Sequence, residues 1–142
     1  EGIVDNVNSI GEEDEPHRET IFLDDAINWI NGDKKSMAIF KKICMNGRHV
    51  LGPYSALQTF IVSQKIRSIL LQIRSQLNQI WFYNSTKKEK EVFADEFLPI
   101  DPKESELLFD FVFNEPYNFM FVNMLLPKNN RIFKNFSQIE IL

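Results

Sequence analysis

Two histidines, one cysteine and a scatter of carboxylates are the side chains with which this chain could do chemistry. Their spacing argues against most of it. His17 and His49 lie far apart, and Cys44, the single cysteine, has no second Cys or His nearby except His49. That is too few ligands for a tetrahedral zinc site, so no metal ligand is expected. Nucleophilic catalysis needs a nucleophile, a base and a group that orients the base. No serine sits in a G-x-S-x-G turn. Five scattered glycines form no phosphate-cradling loop. Asp24-Asp25 and the Glu104/Glu106 pair are the close carboxylates. Each falls near the start of an expected helix, where negative charge complements the macrodipole. The expectation is therefore no enzyme, no catalytic residue and no cofactor. Cys44 lies among apolar positions and reads as a buried thiol in a reducing compartment.

Charge is the next resource. The net charge of −4 hides a segregation, because residues 33–90 hold eleven Lys and Arg against Asp33 and Glu89, with acidic stretches on both sides. Lys34, Lys35, Lys41, Lys42, Arg48, Lys65, Arg67 and Arg74 could contact phosphates, which makes nucleic-acid binding the alternative function. Aromatic anchors are the other candidates. Trp81, Phe82 and Tyr83 are adjacent, so on a helix they point in different directions and one must be exposed. That end is the expected site for a protein partner.

The elements that would carry these residues read as helices. Glu1 to Glu19 is polar and acidic and reads as a flexible leader, with residues 20–142 as one helical domain. Phe22, Leu23, Ala26, Ile27 and Ile30 have helical spacing, and Asn31-Gly32 closes that helix. Asp33 caps a second helix that runs to Met45 and is stopped by Asn46-Gly47. From Pro53 to Tyr83 there is no interior Gly or Pro. Val62, Ile66, Ile69, Ile73, Leu77 and Ile80 share one arc at helical spacing, which predicts one long central helix. Lys87 to Phe97 reads as a polar helix with Val92, Phe93 and Phe97 inward and Lys87 to Glu91 solvated. Asp101-Pro102 with Glu104 is a clear helix start, and Leu107, Leu108, Phe111 and Val112 are expected inward. Tyr117 to Leu126 reads as a buried helix or a strand, and Arg131 to Leu142 as a short helix or an added strand. The fold expected is all-α, a compact bundle of six to seven helices around the Pro53–Tyr83 post. No run is apolar enough to span a membrane.

Leu23-Asp24-Asp25-Ala26-Ile27, Gly32-Asp33-Lys34-Lys35, Ala38 to Ile43 and the basic-aliphatic stretch Ala56 to Arg74 together resemble the start of the helical collar domain of clamp-loader AAA+ subunits, such as the delta subunit of DNA polymerase III. The resemblance covers about residues 22–74 and implies a non-catalytic domain that packs subunits or recruits a partner in DNA replication. Asn46-Gly47-Arg48 before an apolar helix is similar, more faintly, to Bcl-2-like proteins, and implies a viral helical adaptor. The sequence-based expectation is thus an intracellular (cytoplasmic or nuclear) non-enzymatic interaction or assembly domain.

Overall fold

A computed structural model describes residues 18–50 and 56–140, with side chains described through residue 46 and again from residue 56. The chain is not all-α. Among the described residues helices and strands are interspersed, and the strands form two sheets, one of two strands and one of four. It divides into two compact units, Glu1–Gln76 and Leu77–Leu142.

The first unit is built on β1 (Arg18–Asp24), α1 (Ile27–Gly32), α2 (Lys34–Val50), β2 (Ala56–Val62), a 3-10 turn at Ile66–Ser68 and the short α3 (Leu71–Arg74). β1 and β2 pair in parallel, with Arg18 opposite Ala56 and Asp24 opposite Val62. Parallel strands need a long crossover, and α1 with α2 supplies it. In β1 exposure alternates residue by residue, so Ile21 and Leu23 turn one way and Phe22 and Asp24 the other. Ile27, Ile30, Phe40, Ile69 and Ile73 make the core, and Leu23, Met37, Cys44 and Ile61 pack against it. Asp33 caps α2 as expected: its carboxylate accepts from the Ser36 amide at 2.7 Å and also from the Ser36 hydroxyl. Asn46, at φ −126°, breaks the helical geometry of α2 at the point where a stop was expected.

The second unit comprises β3 (Gln79–Tyr83), α4 (Lys87–Phe97), α5 (Pro102–Val112), β4 (Phe119–Asn123), a 3-10 turn at Lys128–Asn130, β5 (Ile132–Lys134) and β6 (Ser137–Gln138). The sheet is antiparallel throughout, in the order β3-β4-β5-β6. Ile80, Phe82, Met120, Val122 and Ile132 are buried, as are Phe93 and Phe97 of α4 and Phe109 and Val112 of α5. Phe82 stacks on Phe93 with ring centroids 4.1 Å apart and planes 11° apart, so α4 covers this face of the sheet. Asp101 caps α5 by accepting from the amides of Lys103 and Glu104, and the Glu104 carboxylate returns to the Asp101 amide. That reciprocal pair is a capping box.

Several expectations are corrected. The bundle of six to seven helices gives way to mixed α/β, and the Pro53–Tyr83 post is broken into β2, a 3-10 turn, α3 and β3. The physical reason is local. Leu57, Thr59 and Ile61 alternate with outward residues, and Ile80 and Phe82 are buried between exposed neighbours. Period two and period 3.6 coincide over short apolar runs. The turns here are made by Ser, Gln and Asn rather than by Gly or Pro, which hid the boundaries. Residues Phe22 to Asp24, expected to be helical, belong to β1. Glu89, expected on a solvated face, is buried at 3 % exposure on the side of α4 that carries Phe93 and Phe97. Leu107 and Phe111, expected inward, are exposed, and Ser105 and Phe109 take the buried positions. The leader expected over Glu1–Glu19 falls almost wholly outside the described residues.

The stability of the second unit should therefore rest on Phe93 and on the Asp101 cap. Phe93→Ala, at a fully buried ring, should cost about 3–5 kcal/mol. Asp101→Ala should cost about 1 kcal/mol. Urea unfolding followed by circular dichroism measures both. A Phe93→Ala loss below that of Asp101→Ala would contradict the packing described.

Candidate functional site

The carboxyl ends of β1 and β2 bring together side chains that the sequence keeps far apart. β1 runs Thr20-Ile21-Phe22-Leu23 and ends on Asp24, followed at once by Asp25. The Asp25 amide donates to the Val62 carbonyl at 3.1 Å, which carries the ladder one residue past β1. Asp25 has φ 49°, in the left-handed region that few residues other than Gly adopt and that Asp tolerates best. Backbone held in that region costs free energy and concentrates where function needs it. From the end of β2, the Gln64 side-chain amide donates to the Asp25 carboxylate at 3.3 Å.

The loop after β2 is held in place by its own hydrogen bonds. The Ser63 hydroxyl donates to the Lys65 carbonyl at 3.0 Å, and the Ser68 amide donates to the same carbonyl at 3.1 Å. From α1, the Asn31 carboxamide donates to the Ser68 carbonyl at 2.9 Å. Arg74 of α3 reaches back to the Ile69 carbonyl at 2.6 Å and the Ile66 carbonyl at 3.3 Å. Gln64 is thus presented by a loop tied to both neighbouring helices. The end of the parallel strand pair thus carries the exposed Asp24 and the exposed Asp25 carboxylate held by the Gln64 amide. In open α/β sheets this end is where ligands bind.

Sequence reasoning read Asp24-Asp25 as helix-start charge and gave no role to Gln64. The signal available was four apolar or β-branched residues running directly into paired Asp. It was obscured because Phe22, Leu23, Ala26, Ile27 and Ile30 also fit a helical stripe.

The other candidates are dispersed. Lys34, Lys35 and Lys42 are exposed along α2, and Lys41 is half-buried there. Lys65 and Arg67 lie in the loop beyond Gln64, and Arg74 is engaged with backbone carbonyls. The Arg48 side chain lies outside the described residues. The Trp81-Phe82-Tyr83 trio is split by the strand: Phe82 is buried, while Trp81 at 40 % and Tyr83 at 58 % exposure face the other way. The predicted exposure of part of the trio holds, through strand alternation rather than helical divergence. Among the described residues no cluster of three or more His, Cys, Asp or Glu is placed to hold a metal, and no helix is long and apolar enough to cross a membrane.

Two groups in the first unit are shifted from their usual proton affinities. Hydrogen bonds from the Ser36 hydroxyl and then the Ser36 amide hold the Asp33 carboxyl below its ordinary range. Burial pushes the Cys44 thiol up to about 11.

No protein-family model matches the sequence, and no curated protein sequence matches it. The fold is similar to a solved structure, B204, the DNA-packaging ATPase from Sulfolobus Turreted Icosahedral Virus. The TM-score is 0.53 and the sequences are 13 % identical, over 83 % of this chain and 51 % of the viral chain. The likeness is one of fold, and this chain spans about half the length of the viral protein.

The shift at Cys44 makes a kinetic prediction. A thiol with its proton affinity raised holds less reactive thiolate than a free one at pH 8. The native protein should react with a disulfide reagent such as DTNB at least tenfold more slowly than glutathione, with the free rate restored in denaturant. Equal rates would show that Cys44 is not sheltered.

Proposed function

We propose that the carboxyl end of the β1–β2 pair is the cation- and water-handling edge of a nucleoside-triphosphate site. The observation that carries this reading is the Gln64–Asp25 hydrogen bond, which joins the ends of two parallel strands at a left-handed Asp. An apolar strand ending in a carboxylate is the arrangement with which P-loop nucleotidases hold Mg²⁺, and Gln64, in the loop just after β2, holds the neighbouring Asp25 carboxylate. Asp24 is the residue assigned to the cation. Asp25, positioned by Gln64, is assigned to the attacking water. The oxygen-rich donor set suits Mg²⁺, a hard cation that keeps several waters and binds through one or two carboxylates. When bound, the ion supplies charge neutralisation at the phosphates.

The five scattered glycines form no phosphate-cradling loop motif. The strands offer a place for one. Among the described residues the β1–β2 pair has no further strand, and parallel sheets are characteristically extended and covered on both faces. A further strand leading into such a loop would complete the site. The likeness to a protein described as a DNA-packaging ATPase supports this reading.

Paramagnetic Mn²⁺ added to isotopically labelled protein tests the assignment without requiring turnover. The amide signals of Asp24, Asp25, Ser63 and Gln64 should broaden at the lowest Mn²⁺, ahead of those of the acidic helices α4 and α5. Asp24→Asn should abolish that preference. Broadening that begins at Glu104 to Asp110, or is unchanged by Asp24→Asn, would overturn the reading and favour the non-enzymatic assembly role.

A further inference from the structure

The four-stranded sheet carries α4 on one face and two rows of aromatic rings on the other. Register sets the rows. Trp81 lies opposite Phe121, and Phe121 opposite Phe133, with ring centroids 5.1 and 5.4 Å apart. One step along, Tyr83 lies opposite Phe119, and Phe136 in the β5–β6 turn closes edge-on against Phe119, with centroids 5.6 and 5.3 Å apart. None of these six rings is buried, and Phe136 is 77 % exposed. A sheet face that merely met water would alternate to polar residues at these positions.

The chemistry of the face selects its occupant. It holds no carboxylate: the residues of β3, β4, β5 and β6 include one charge, Lys134, and its amine reaches the far side to the Phe111 carbonyl and Asn114. Nine of the ten acids of this unit lie in residues 87–115, with four lysines; the tenth, exposed Glu140, follows Ile139, whose amide donates to the Ile132 carbonyl of β5. The turn between β4 and β5 carries Lys128 and Arg131 and no acid. Exposed amides, Gln79 and Gln138, border the rings. A polyanion approaching this side meets flat ring surfaces, a single nearby acid in Glu140, and donors and acceptors at the margin. A sheet backed by helices with rings spread across its open face is how single-stranded nucleic acid is bound, since unpaired bases stack on the rings. Double-stranded nucleic acid keeps its bases stacked on one another and cannot use them.

We propose that the outer face of the β3–β6 sheet binds single-stranded nucleic acid by base stacking on the Trp81 and Tyr83 rows. This is independent of the nucleotide reading, which concerns the other unit. Trp29→Phe leaves Trp81 as the sole tryptophan, and its fluorescence reports binding directly. Titration with a thymidine oligonucleotide of about ten residues should quench it, and duplex of the same length should not. Tyr83→Ala should weaken binding about tenfold, with an unchanged melting temperature showing that the fold is intact. Lys41→Ala with Lys42→Ala should leave it unaltered. Absence of quenching would overturn the proposal. So would quenching that Tyr83→Ala does not weaken, or self-association through this face, seen by sedimentation, without oligonucleotide binding.

Discussion

Parallel pairing of β1 with β2 is the constraint on which the first unit depends. Two strands that run the same way cannot be joined by a tight turn, so the chain must leave the end of β1, cross over and return. α1 and α2 make that crossing, and they do it by placing Ile27, Ile30 and Phe40 against the strand residues Leu23 and Ile61. Burial of these side chains holds the register, because a slip of one residue would turn Leu23 outward and Phe22 inward. The same register sets the chemistry. Asp24 opposite Val62 puts Asp25 within reach of Gln64.

The second unit obeys a different rule. Its strands are apolar on both faces, but α4 covers one. Phe82 fills the covered side against Phe93, and Trp81 and Tyr83 are left on the other by the two-residue period of the strand. Adjacent aromatic residues therefore do different work. Phe82 stabilises the core, and its neighbours form a surface. Asn135, with φ 54°, turns the chain from β5 to β6; its side chain accepts from the Phe119 amide at 3.0 Å. That bond fixes the start of β4 and with it the Phe119 ring. The aromatic rows are thus held by backbone register rather than by the rings alone.

Much of the second unit was legible because its signals are local. Asp101-Pro102-x-Glu104 forms its capping box where the residues indicate, and Phe93 and Phe97 bury one turn apart as their spacing requires. Asp33 and Asn46-Gly47 likewise mark a true cap and a true break. The long post failed for a reason that is also physical. A strand takes its stability from a partner distant in sequence, and Ala56 to Val62 finds its partner 38 residues upstream. Nothing within the stretch announces that partner, while Ile69 and Ile73, both buried, have helical spacing although neither Ile69 nor Leu70 is helical and only Leu71–Arg74 is. The candidate site was illegible for the same reason. Asp25 and Gln64 are separated by 39 residues and become neighbours only through the parallel pairing.

That pairing is the claim from which the rest follows, and nuclear Overhauser contacts test it most directly. Contacts between backbone protons of Ile21 and Thr59 and of Leu23 and Ile61, together with one between Asp25 and Val62, are what the parallel register predicts. Continuous contacts between residues three apart from Ala56 through Arg74, with none to residues 18–24, would restore the single long helix and contradict both the fold and the site built on it.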